Sequence, residues 1–108
     1  MNKTITLLAL SLAVAVGAPA LAGGNAEAGK AKSATCAGCH GPDGNSPAPS
    51  FPKLAGQHED YMHQALKDYK SGKRKNPIMS GQVASLSDQD MQDLAAFFAK
   101  QKGLSQKY

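Results

Sequence analysis

After residue 22 the chain has almost nothing from which to build a β-sheet. Thr35, Ile78 and Val83 are the only β-branched residues between Gly23 and Tyr108. Strands favour Val, Ile and Thr because branched side chains pack well on a pleated surface. The segment therefore reads as all-α, and its elements have to be found from the helical spacing of apolar residues.

Three main helices are expected. The first begins near Asn25, a good N-cap, with Glu27 suiting the positive helix end, and runs into Cys36–His40. Ala28, Ala31 and Thr35 give it a small, weakly apolar face. The second spans residues 58–71, where Tyr61, Met62, Ala65, Leu66 and Tyr69 recur at helical spacing and Gly72 is a natural stop. Ser87 caps the third, Asp88 and Asp90 favour its first turn, and Met91, Leu94, Ala95 and Phe98 form its stripe. Lys100 and Lys102 suit its negative end, and Gly103 closes it.

Residues 1–22 have a different character. Lys3 supplies a positive start, 5–16 is a short apolar run, and Ala20-Leu21-Ala22 fits a small-residue cleavage site. That layout is a secretory signal peptide, too short to span a bilayer, with the cut expected after Ala22. Removal leaves one domain, 23–108, and the formal charge of +4 falls to +3 with the loss of Lys3. An exported protein seldom meets nucleic acid. The cluster Lys67, Lys70, Lys73, Arg74 and Lys75 is therefore either a solvated basic face or a docking patch for an acidic protein. The sequence suggests a monomer or weak dimer.

A domain this small has a marginal core and often needs a metal, disulfide or cofactor. Its aromatics are few: Phe51, Tyr61, Tyr69, Phe97, Phe98 and Tyr108, with no Trp. The segment Gly41 to Gly56, with Pro42, Pro47, Pro49 and Pro52, is long for an irregular loop unless it has a task, such as wrapping a bound group. Between the second and third helices, Pro77 and Gly81 are expected to break any long helix.

Cys36-Ala37-Gly38-Cys39-His40 supplies the chemistry. A redox disulfide needs a βαβ scaffold that this composition cannot form, and a bridge between positions 36 and 39 would close too small a loop to constrain much. A zinc site from Cys36, Cys39, His58 and His63 has a longer central spacer than tetrahedral Cys2His2 sites use, and leaves His40 unexplained. Covalent haem uses every residue of the motif. Cys36, Cys39 and His40 stand at i, i+3 and i+4 on one helical face, so two thiols can meet one porphyrin edge beside an imidazole ligand. Attachment follows export, so leader and motif agree. Burying a porphyrin face also adds on the order of several kcal/mol at about 25 cal/mol per Å2.

Met62, Met79, Met91, His58 and His63 compete for the second axial position. Met62 and Met91 belong to helical stripes and read as core packing. Met79 lies where no amphipathic pattern requires it and is the favoured ligand. His58 at the start of the second helix, or His63 off its stripe, would give bis-histidine iron.

With these motifs in place, the chain resembles class I cytochromes c, particularly the small periplasmic ones and each half of their two-haem relatives. The resemblance covers nearly all of residues 24–102. CAGCHGPDGNS matches the attachment site, FPKLAGQ the P-x-L-x-G turn, and NPIMSGQVASLSDQDMQDLAAFFA the ligand loop and C-terminal helix. It implies a cytochrome c fold around one haem c and its iron, with His40 and Met79 as axial ligands and the Pro52 carbonyl accepting from His40 Nδ1. It also implies that Gly29 sits where the first helix crosses the last, near Leu94 and Phe98. Ser33 departs from the pattern, which often has an aromatic there, so a looser crossing is expected.

The implied function is periplasmic transfer of single electrons between redox partners such as a membrane oxidase or reductase, without enzymatic chemistry. The alternative is a haem enzyme or gas-binding sensor with an open or labile sixth site.

Overall fold

The computed structural model describes residue 9, residues 11–13 and residues 23–104. The leader and its cut after Ala22 lie almost wholly outside them, as does Tyr108. Among the described residues there are five helices and no strand: α1 (Ala26–Lys32), α2 (Ala34–His40), α3 (Glu59–Ser71), α4 (Pro77–Val83) and α5 (Asp88–Ala99). The all-α expectation is met.

The first expected helix is divided in two at Ser33. Its N–H and Oγ both donate to Lys30 O, at 3.2 and 2.8 Å, closing α1 as α2 begins. The small face is also displaced from the one expected. Gly29 and Ser33 are buried, whereas Ala31 and Thr35 are exposed. Ser33, where the pattern often has an aromatic, is buried at the helix junction.

α5 is the central element. Ser87 and Asp90 form a reciprocal capping box: Asp90 N donates to Ser87 Oγ at 3.0 Å, and Ser87 N donates to Asp90 Oδ2 at 2.9 Å. Every residue from Asp93 to Phe98 is buried, so the apolar stripe is wider than the sequence spacing indicates. The helix stops at Ala99, earlier than expected, with Lys100 as its cap. Met62 from α3 joins Leu94, Ala95, Phe97 and Phe98 in the core cluster, and Leu54, Leu66 and Cys36 pack on it.

α1 lies against α5 at very close range. A Cβ on Gly29 would stand 2.0 Å from Asp93 O and 2.8 Å from Phe97 Cβ. The crossing predicted near Leu94 and Phe98 is therefore one residue earlier, at Asp93 and Phe97.

Asp93 fastens the same crossing. Its carboxylate is buried and accepts from Asn25 N at 2.8 Å, Lys32 Nζ at 2.7 Å and Gln89 Nε2 at 2.8 Å. Lys32 also reaches Asp90 at 2.8 Å. The Asn25 N–H, followed by Lys32, holds the Asp93 carboxyl below the usual carboxylate range. Lys32, followed by the bonds with Ser87, lowers Asp90 to about 2. Both shifts are depressions, so their stabilisation is complete above the ordinary carboxylate pKa and is lost as pH falls through the folded values. The urea midpoint should be steady near neutrality and drop between about pH 4 and pH 2. An Asp93→Asn variant should show a shallower drop; an unchanged acid profile would remove Asp93 from this role.

Candidate haem site

α2 presents the motif on one helical turn. Cys36 and Cys39 are half-buried free thiols, and His40 at the helix end is buried. Burial pushes the Cys36 thiol above its ordinary range. The helix can stop here because Gly41 adopts φ 86° and ψ 155°, while its N–H donates to Ala37 O at 3.0 Å. That region of backbone space is essentially restricted to glycine. A Cβ at Gly41 would also lie 2.7 Å from Asn45 O.

The turn sends the Pro-rich loop back over α2. Leu54 N and Ala55 N donate to Gly44 O at 2.8 and 3.2 Å, closing the loop on itself. Pro52 O consequently stands 2.7 Å from His40 Nδ1. A carbonyl can only accept, so this contact makes Nδ1 the protonated nitrogen and leaves the Nε2 lone pair for a metal. Phe51 sets its ring edge against the imidazole, with centroids 6.5 Å apart and planes at 66°. The contact expected between His40 and Pro52 is present, and Phe51, which no sequence motif marks for this role, joins it.

Met79 is not in a loop. Asn76 Oδ1 accepts from Ile78 N and Met79 N, both at 3.0 Å, and Pro77 occupies the first turn of α4. Proline was expected to break a helix here, but it starts one, because the first turn needs no donor from it. The Asn76-Pro77 pair was the available sequence signal. α4 is tied to α3 by Ser80 Oγ donating to Tyr69 O at 3.2 Å.

The other proposed ligands are placed differently. Met62 and Met91 are buried in the core, with 6% and 3% exposure. His63 Nε2 is 2.7 Å from Asp88 Oδ1, joining α3 to the start of α5. His58 is the N-cap residue of α3. Of the five candidates, Met79 alone is neither core, helix cap nor paired with a carboxylate.

These residues fit a porphyrin. Two unbridged thiols adjoin an imidazole with one nitrogen fixed, and the Phe51 ring beside that imidazole is 36% exposed. The sequence spacing puts Tyr61 in the α3 stripe, but that stripe packs through Met62, and Tyr61 is 53% exposed. An exposed apolar ring against the His40 imidazole is surface that a flat apolar ligand would cover.

A helical domain with this arrangement is a c-type haem protein in class. The cytochrome c family matches residues 26–102. Cytochrome c4 of Pseudomonas aeruginosa is 53% identical over 102 residues, covering 94% of this chain and 50% of that protein. Cytochrome c-554(548) of Halomonas halodenitrificans is 40% identical over 82 residues, covering 73% of this chain and 99% of that protein. The crystal structure of reduced recombinant cytochrome c4 from Pseudomonas stutzeri aligns with a TM-score of 0.72 at 52% identity, over 75% of this chain and 47% of that one. This chain belongs to the cytochrome c family, and its cofactor is covalently bound haem c with its iron. It spans about half the length of the cytochrome c4 relatives.

Proposed function

We propose that the chain is an exported single-electron carrier, with residues 1–22 removed as a signal and the remainder working in the periplasm. Cys36 and Cys39 would hold the haem through two thioether links, and His40 and Met79 would ligate its iron. The observation that carries the reading is the 2.7 Å contact of His40 Nδ1 with Pro52 O beside two free thiols. When bound, haem supplies a one-electron Fe(III)/Fe(II) couple.

The protein's part is to fix ligands and keep water away. Pro52 O holds the imidazole plane and raises the basicity of Nε2. The Met79 thioether, a soft ligand, would favour the reduced iron and raise the potential. With His40 and Met79 both engaged by the iron, substrates and gases would have no seat, and no side chain would need to act as acid, base or nucleophile. Among the described residues no helix is long and apolar enough to cross a membrane.

An intact mass with a reduced-minus-oxidised visible spectrum tests this directly. The expected result is residues 23–108 plus one haem, with low-spin iron, a sulfur-to-iron charge-transfer band and no response to carbon monoxide. High-spin iron that binds carbon monoxide readily would favour the enzyme or gas-sensor reading.

Docking of an acidic redox partner, such as a membrane oxidase or reductase, is assigned to the end of α3 and the turn after it. Lys73, Arg74 and Lys75 are exposed there. Arg74 is held over the Tyr69 ring at 4.8 Å and its Nη1 donates to Tyr61 Oη at 3.4 Å, while Lys70 Nζ donates to Leu86 O. Arg74 is thus a pre-oriented cation beside exposed aromatic surface. The rate of electron transfer to the partner should fall as ionic strength rises. A rate flat between low and physiological salt would remove the patch from docking.

A further inference from the structure

The segment preceding α1 is held in place by contacts that have no part in the haem site. Gly24 N donates to Glu59 Oε1 at 3.2 Å and Asn25 N donates to Asp93 Oδ1 at 2.8 Å. The path between them is narrow: a Cβ on Gly24 would stand 1.9 Å from Gln92 O. Gly23 lines a cleft of about 430 Å3 with Glu59, Asp60, His63 and Gln92. An ideal Cβ on Gly23 would lie 3.2 Å from Glu59 Oε1, which fixes how near that backbone runs to the carboxylate.

Gly23 is the residue that cleavage after Ala22 would expose. Hydrolysis of the Ala22–Gly23 amide by a leader-removing peptidase, with water as co-reactant, leaves a carboxylate on Ala22 and a protonated amine on Gly23. Before the cut, that nitrogen is a neutral amide with one hydrogen. Afterwards it is a cation with three donors, close to the Glu59 carboxylate and in the same cleft as Asp60.

We propose that the cleft between α3 and α5 is a binding site for the protein's own processed N-terminus, in which the Gly23 ammonium pairs with Glu59 and Asp60. The proposal rests on the reading that the leader is removed after Ala22. Processing then does more than release the protein: it creates the cation that fastens the start of α1 to α3. The titratable groups facing this terminus from α3 are Glu59, Asp60 and His63. From α5 come neutral Gln92, together with Asp88, which engages His63, and Asp93, which is occupied by Asn25 and Lys32. Both carboxylates of the cleft are on the first turn of α3, where acidic residues offset the helix's own positive end.

The test is a pH titration of the Gly23 α-protons by NMR in the reduced, haem-loaded protein beginning at Gly23. The α-amino pKa should lie above its ordinary 7.7–8.0 by about half a unit, the size that an exposed ion pair produces. Glu59→Gln should return it to the ordinary range, and so should one extra alanine placed before Gly23. An ordinary value in the unsubstituted protein, or a raised value that Glu59→Gln leaves unchanged, would overturn the site. The mass of the exported protein separates this from the reading beneath it. A mass starting at another residue defeats the cleavage assignment, whereas the correct mass with an ordinary pKa defeats the cleft assignment alone.

Discussion

Met79→Ala should abolish the sulfur-to-iron band and open the iron to carbon monoxide and imidazole. The potential should fall by on the order of 0.1 V, a modest part of the ~0.8 V range that axial ligands span. The fold should survive, because Met79 is not in the buried core and its backbone N–H bond to Asn76 Oδ1 does not involve its side chain. The contrasting variant is Met62→Ala. Met62 is 6% exposed within the core cluster, so its loss should cost about 2–5 kcal/mol of stability while the spectrum stays the same. If Met62→Ala lost the band and Met79→Ala kept it, the ligand assignment would be reversed.

Gly29→Ala should be severely destabilising, because it adds a methyl group inside the contact between α1 and α5. The new Cβ would stand 2.0 Å from Asp93 O, 2.6 Å from Asp93 C and 2.8 Å from Phe97 Cβ. Two of these three atoms are backbone and cannot swing aside, so α1 would have to separate from α5. Separation would also stretch the Asn25 and Lys32 bonds to Asp93. A cost of about 3 kcal/mol or more follows, at the upper end for overpacking. For a domain of this size that is a melting temperature lower by about 12 °C or more. Denaturation of the haem-loaded variant measures it, and Gly38→Ala is the control, since a Cβ there meets nothing within 4 Å. Equal losses at both positions would mean that the close approach is not what makes glycine necessary at position 29.

Much of this protein follows from local sequence. The dearth of β-branched residues leaves helices as the available regular structure, and three strong cap signals, Asn25, Gly72 and Ser87, stand where α1 begins, α3 ends and α5 begins. The C-x-x-C-H spacing is legible for the same reason: positions i, i+3 and i+4 share a face whatever surrounds them. α4 was legible in principle, through Asn76 and Pro77, but seven residues carry too little periodicity to compete with the expectation that proline and glycine break helices.

What sequence spacing could not supply was distance between elements. It put Tyr61 in the α3 stripe, but the angle at which α3 meets α5 turns Met62 inward and leaves Tyr61 more than half exposed. It put Ala31 and Thr35 on the packing face of the first helix, whereas the break at Ser33 and the tight approach at Gly29 rotate that face away from them. The burial of Asp93 depends on donors 61 and 68 residues away, which no local window contains. Local sequence thus determined the helices, their caps and the chemistry of the attachment turn, because those depend on neighbours along the chain. The tertiary structure alone decided where the helices cross, which carboxylates are buried, and how the loop returns Pro52 to His40, because those depend on non-local packing and on backbone turns such as the one at Gly41.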